Sequence, residues 1–235
     1  MILVYTYATH NEGMFDELIK NKYTKVNVVG YGSKWNGFFD KIQKMYSEFE
    51  KLQPDTLVMF VDGFDTRIIK NLEIAEERYK QFYPNNPVLF SSETILEIPF
   101  GSYIQRRVFG EGPIANTGLY MGPVNKIMNI MNKSIKFKKE CKDDDQCAYN
   151  KIREDFEIDN DYHIFQNVNY SQRKDENFSS DAVVLQFPGQ LTPNRIIRSI
   201  KEYTPFFWKE ILFLVILILL VFFIVKKYRK NNQSK

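Results

Sequence analysis

The run Ile211 to Val225 (ILFLVILILLVFFIV) places 15 apolar residues in a row, and Phe206, Phe207 and Trp208 extend it upstream past Lys209 and Glu210. Counted from Phe206 the stretch has 20 residues, and at about 1.5 Å per residue a helix of that length spans roughly 30 Å, the thickness of a bilayer core. A helix buried in a soluble core is the alternative, but such a helix normally keeps a polar stripe, which this run lacks over four turns. The expectation is a transmembrane helix over 206–225, with Lys209 and Glu210 near one interface. The tail KKYRKNNQSK, 226–235, then anchors it, and 196–205 reads as a linker from a domain over 1–195.

The anchor changes the meaning of the charge balance. Five of the 32 Lys and Arg lie beyond the span, leaving 27 basic against 29 acidic residues over 1–210. That balance excludes a nucleic-acid partner, which calls for a basic face. Met1 leads directly into ILVYTYAT with no basic region or cleavage signal, so a single-pass membrane protein with a cytosolic domain is expected. The basic tail pulls the other way, because Lys and Arg favour the cytoplasmic side. Sequons at Asn132, Asn169, Asn177 and Asn232 do not decide it, and Cys141 and Cys147 match no metal spacing or disulfide framework and read as free thiols.

Ahead of the anchor, strand and helix patterns alternate. Ile2 to Thr9, Val26 to Val29, Thr56 to Val61 and Pro87 to Ser91 are short β-branched or apolar runs, the third continuous enough for a parallel strand buried on both faces. Phe38 to Leu52 carries Phe39, Ile42, Met45, Tyr46, Phe49 and Leu52 at helical spacing. Met14 to Lys20, Asn71 to Phe82, Val124 to Met131 and Asp143 to Ile152 also read as helices. Thr94 to Pro113 shows no period and is expected to be loop, Ile114 to Gly122 a strand interrupted by a turn, and Ile164 to Val168 and Ala182 to Phe187 late strands. The class is α/β.

Two acidic motifs carry the chemistry. In TLVMFVDGFDT, Asp62 and Asp65 emerge from the most apolar internal strand, and ligands of parallel sheets bind at carboxyl ends of strands. Two carboxylates there suit a hard divalent cation on a diphosphate; a pair of loop caps is the plainer alternative. A phosphotransferase of the haloacid dehalogenase type needs a second Asp where Phe64 stands. Asp143-Asp144-Asp145 is either a solvated turn favoured by a helix dipole or a reaction-centre acid whose pKa like-charged neighbours raise. Trp35, Phe64, Ser92-Glu93 and Asn116-Thr117-Gly118 are open between structural and ligand-contacting roles, and two histidines, His10 and His163, support no histidine-centred hydrolase.

In order, VVGYGSKWNG, LVMFVDGFD, VLFSSE, IANTGLYMG, DDDQ, IFQN and VVLQFPG resemble the glycosyltransferase domain of the procollagen lysyl hydroxylases, the PLOD family, as far as about Gly189. The resemblance implies a GT-A, Rossmann-like glycosyltransferase fold that moves glucose or galactose from UDP-glucose or UDP-galactose to hydroxylysine-linked or other protein or glycan acceptors with Mn2+. It implies that Asp62 and Asp65 are metal ligands and that Phe64, Thr9 and Trp35 meet the nucleotide sugar. Asp144 and Asp145 match the acidic run implicated in catalysis, and Glu93 and Asn116 the acceptor side. Gln186 stands where the family has a metal-binding His, and SSETILEIP lacks the family's Trp. A non-catalytic sugar-nucleotide binder or interaction module on a membrane is the competing expectation.

Overall fold

The computed structural model describes residues 1–94, 101–188 and 204–233, which fall into two compact units, Met1–Gln190 and Leu191–Lys235. In the first, a six-stranded sheet has the order β2-β1-β3-β6-β5-β7. Its strands are β1 (Leu3–Tyr7), β2 (Val26–Val29), β3 (Leu57–Val61), β5 (Leu89–Ser92), β6 (Ala115–Pro123) and β7 (Glu157–Asp159). A smaller sheet, β4-β9-β8, joins Thr66–Ile68, Val184–Gln186 and Phe165–Asn167. β3 is parallel to β1 as its apolar run suggests, but its other neighbour, β6, is antiparallel, so the sheet is mixed.

Helices cover both faces, which is why the central strands alternate apolar with apolar. Met59 and Val61 of β3 join Leu89, Leu119 and Met121 in a core closed by Leu18, Leu72, Ala75 and Tyr79 from α1 (Phe15–Ile19) and α3 (Leu72–Phe82). Phe60 turns to the other face, where its ring stacks on Tyr120 at 4.8 Å and Tyr120 meets Phe90 at 5.2 Å. α2 (Phe38–Phe49), α5 (Val124–Ile135) and α6 (Asp145–Asn150) belong to the fold's remaining helical layer. Phe39, Ile42, Met45 and Phe49 of α2 are buried, as their spacing requires.

Several expectations are corrected. The stretch expected to be loop contains α4 (Gly101–Phe109), which buries Gln105, Val108 and Phe109; residues 95–100 of it lie outside the described part. β6 is one continuous nine-residue strand. The turn expected inside it is a bulge: β5 pairs Phe90 with Tyr120 and then Ser91 with Asn116, so Thr117, Gly118 and Leu119 of β6 bow away from β5, Leu119 keeping its pairing with Val61 of β3. β4 and β7 are three-residue strands, too short and too charged (TRI, EID) to show a period. Cys141 and Cys147 are joined in a disulfide, which overturns their reading as free thiols.

In the second unit, α7 (Trp208–Gln233) follows a short 3-10 turn over Thr204–Phe206. The helix therefore opens two residues after Phe206. Within it Trp208–Lys226 is the one described stretch long and apolar enough to cross a membrane, and none of it is buried. Deleting Pro205 onward should leave a water-soluble chain whose cooperative urea transition, followed by circular dichroism, matches that of the full chain in detergent.

Candidate active site

β3 delivers Asp62 to the carboxyl end of the sheet, where its N–H donates to the Gly118 carbonyl at 2.7 Å and its Oδ1 accepts from the Phe64 N–H at 3.1 Å. Gly63 keeps this turn close to β1, since a Cβ there would press on Ala8 Cβ and Thr6 Oγ1, both 3.1 Å away. The chain then enters β4, whose Thr66 pairs with Gln186 of β9. That pairing brings residues 121 positions apart together: Gln186 Nε2 donates to Asp65 Oδ1 at 3.1 Å, and the Phe187 N–H donates to the Asp65 carbonyl at 2.7 Å.

Gln186 is 4% exposed, and its Oε1 is buried without a hydrogen-bond partner among the described residues. The amide touches a carboxylate while its oxygen is uncommitted, so Asp62, Asp65 and, with the amide turned, its oxygen suit a hard divalent ion. No three His, Cys, Asp or Glu side chains among the described residues are grouped to hold a metal; an amide would have to supply the third oxygen. Gly118, in the bulge of β6, leaves the space this amide fills, since a Cβ there would overlap it. Gly118→Ala should therefore displace Gln186 and cost about 1–3 kcal/mol in denaturant unfolding.

The acidic run is held by separate partners, not by mutual repulsion. The disulfide closes the loop from Cys141 to Cys147, and Lys142 and Asp143 cross it at φ of 55° and 68°. Asp143 lies against Gly37, whose φ of 100° and missing Cβ accommodate it, and is 3.5 Å from the Lys138 ammonium. Asp144 caps α6, its Oδ1 accepting from the Cys147 N–H at 2.7 Å. Asp145, 4% exposed, pairs with the ammonium of Lys41 at 2.5 Å. Burial alone pulls the Lys41 pKa down, but Asp145, Asp62 and Asp144 together outweigh it and hold the ammonium above its ordinary value.

The following residue, Gln146, donates to Glu93 Oε2 at 2.8 Å, and Asn116 donates to the same oxygen at 2.8 Å. Asn116 Oδ1 in turn accepts from the Gly118 N–H at 2.8 Å. Glu93 thus ties β5, β6 and α6 into one polar wall. At the end of β1, Thr9 Oγ1 lies 2.9 Å from His10 Nδ1, and the His10 ring is 5.2 Å from Phe64. Trp35, 42% exposed, packs beside Tyr7 and Phe38 at 5.7 and 5.3 Å.

The PLOD GT domain family matches residues 1–187. The chain belongs to this family. The multifunctional procollagen lysine hydroxylase and glycosyltransferase of Caenorhabditis elegans is 30% identical over 199 residues, 72% of this chain and 26% of that protein. Protein R699 of Acanthamoeba polyphaga mimivirus is 28% identical over 132 residues, 52% of this chain and 28% of that one. The chain thus spans about a quarter of the length of these relatives. Among solved structures, the galactosyltransferase LgtC with donor and acceptor sugar analogues has a TM-score of 0.48 at 10% identity, over 88% of this chain and 95% of that one. A glycosyltransferase involved in glycosylation of the PBCV-1 major capsid has a TM-score of 0.49 at 14% identity, over 80% and 95%.

With its mixed sheet and flanking helices, this PLOD GT domain has an α/β fold. Sequence reasoning overlooked Lys41 in its polar centre and gave Gln146 of the DDDQ motif no role. Lys41 stands between Phe38 and Met45 on the apolar stripe of α2 and lies over the rings of Phe38 and Phe60; a lysine on a buried stripe was the available signal. Gln146 needed no other signal than its place after the three Asp. His10 adjoins Phe64 only through the fold of the 9–14 loop, which docks on the DGFD turn when the Met14 N–H donates to the Phe64 carbonyl at 2.8 Å.

Proposed function

We propose that this PLOD GT domain transfers glucose or galactose from a UDP-sugar to a hydroxyl of a protein or glycan acceptor, hydroxylysine of a collagen-like chain among them, with Mn2+ as its ion. The observation that carries the reading is the contact of Asp65 with Gln186, whose amide packs on Gly118, the residue whose carbonyl accepts from the Asp62 N–H. Asp62, Asp65 and Gln186 would hold the ion. Bound there, it supplies positive charge against the diphosphate and the departing UDP. Thr9, Phe64 and Trp35 are assigned to the nucleotide sugar, the exposed indole of Trp35 offering a face for stacking. Asp145, fixed by Lys41, sets a buried negative charge near the site, suited to a sugar carbon that gains positive charge as its bond to UDP breaks. Asp144 positions that residue by capping α6, and Glu93 with Asn116 orients the acceptor hydroxyl.

The test is UDP release by the full chain in detergent, from UDP-glucose and UDP-galactose, with Mn2+, Mg2+ or chelator, and with a hydroxylysine peptide present or absent. Release that requires the ion and falls at least tenfold in Asp65→Asn is expected. UDP binding without release from any donor would favour the non-catalytic binder, the reading that the exchange of His for Gln at 186 supports.

For topology, the disulfide and the basic residues following the span support a domain on the oxidising side of its membrane, opposite to the cytosolic expectation. Asn177 is exposed in a loop, whereas the Asn132 sequon runs through α5 with Ser134 buried. Expression in eukaryotic cells should therefore give a glycosidase-sensitive mass that Asn177→Gln removes. An unglycosylated chain with both thiols open to maleimide in permeabilised cells would return the domain to the cytosol.

A further inference from the structure

Thr66, Gln186 and Asn167 form one register row across the small sheet, Thr66 opposite Gln186 on β4 and β9, and Asn167 opposite Gln186 on β8 and β9. Register partners present their side chains to the same face of a sheet. All three are buried, at 0%, 4% and 1% exposure. Each has a side-chain oxygen with no hydrogen-bond partner among the described residues: Thr66 Oγ1, Gln186 Oε1 and Asn167 Oδ1. Native interiors leave only a few such atoms per hundred residues, so three in one row require a cause.

The donors of Asn167 are committed. Its Nδ2 reaches the Ser92 carbonyl at 2.6 Å and Ser91 Oγ at 3.2 Å, which fixes Oδ1 as an acceptor facing away from them. The amide of Gln186 has a choice. It now turns its NH2 to the Asp65 carboxylate, which leaves Oε1 buried without a hydrogen-bond partner among the described residues. Rotation of the terminal amide by half a turn exchanges nitrogen and oxygen with almost no change of shape. The oxygen would then face Asp65, an arrangement that repels unless a cation lies between them, and the NH2 would face the row, where Asn167 Oδ1 and the Thr66 hydroxyl oxygen have no partner among the described residues.

We propose that Gln186 is a cation-coupled amide switch, with Asn167 as the positioning residue that accepts its NH2 in the loaded orientation and Thr66 as a second acceptor. Without an ion the charge of Asp65 holds the amide in its present orientation; an ion neutralises that charge and presents Oε1 as a ligand, while Asn167 supports the turned amide. An imidazole at this position has no such exchange to make, so the device belongs to the glutamine. It rests on the reading that Asp62, Asp65 and Gln186 hold a divalent ion.

Mn2+ binding to the full chain in detergent, followed by the electron paramagnetic resonance of the free ion, tests it without reference to turnover. Asn167→Ala is expected to weaken Mn2+ about fivefold, the worth of one net hydrogen bond. In a Gln186→Glu background, which has no NH2 to support, the same change is expected to be silent. A purely structural role for Asn167 would weaken binding equally in both backgrounds and would overturn the switch, as would silence in both. Should Asn167→Ala fail to fold, Thr66→Val supplies the same comparison. Loss of Mn2+ binding in Asp65→Asn keeps the ion site standing whichever way the switch falls; unchanged binding there removes the site and the switch with it.

Discussion

Replacing Lys41 by methionine is expected to destabilise the domain by about 3–5 kcal/mol, because Asp145 would remain as a buried charge with its partner gone. The side chains of the pair are only 11% and 6% exposed and lie 2.5 Å apart, so water cannot take the place of the ammonium without opening the α2 to α6 packing. Lys41→Met/Asp145→Leu should recover most of the loss, since two apolar side chains replace a buried pair at little cost. Urea unfolding of the full chain in detergent, followed by circular dichroism, measures both. Sugar transfer should stay low in the double variant, which separates the support of the fold from the charge the site uses. Because Lys41 is held above its ordinary 10.5 in the folded chain, the stabilisation is complete below that pH and is lost only as pH climbs past the raised native value. A loss under 1 kcal/mol in Lys41→Met would mean that Asp145 is solvated and that the pair does not organise the acidic run.

What the residues announced depended on how local the cause was. β1, β3 and α2 were legible because burial on one face or both writes itself into the period of the chain, and the carboxyl end of β3 marked Asp62 and Asp65 directly. Gln186 was legible only through family resemblance: its neighbour Asp65 is 121 residues away, and the β4 to β9 pairing that joins them rests on two three-residue strands with no period. The bulge of β6 was misread as a turn because Asn116-Thr117-Gly118 has turn residues; here the glycine is required by the packed Gln186 amide, not by a reversal of the chain. α4 was hidden because its buried positions include a glutamine, Gln105, whose Nε2 donates to the Thr94 carbonyl at 2.7 Å. The ion pair escaped notice for a related reason. A period-based reading counts Lys41 as an interruption of the stripe, although its stem packs on Phe38 and Phe60 and only its tip needs a partner.

The disulfide was the least legible feature, since a separation of six residues is compatible with a bond only if the chain doubles back between them. It does so by taking Lys142 and Asp143 into the left-handed region, where an L-residue costs roughly 1–2 kcal/mol. The bond therefore constrains the loop that carries Asp143, Asp144 and Asp145, with both sulfurs' residues buried at 0% and 1% exposure. Cys141→Ala/Cys147→Ala is expected to cost about 2 kcal/mol from loop closure alone, and more if the two strained residues relax and carry the α6 cap with them. Circular dichroism of urea unfolding gives the stability, and donor turnover reports whether Asp145 still meets Lys41. A phosphine reductant should reproduce both losses in the native chain while leaving the double variant unchanged, because it then has no bond to cleave. If the reductant acts equally on the double variant, its effect arises elsewhere; if it opens the bond in the native chain without loss of stability or turnover, Lys41 and the Asp144 cap suffice to hold the acidic run and the disulfide is a passive brace.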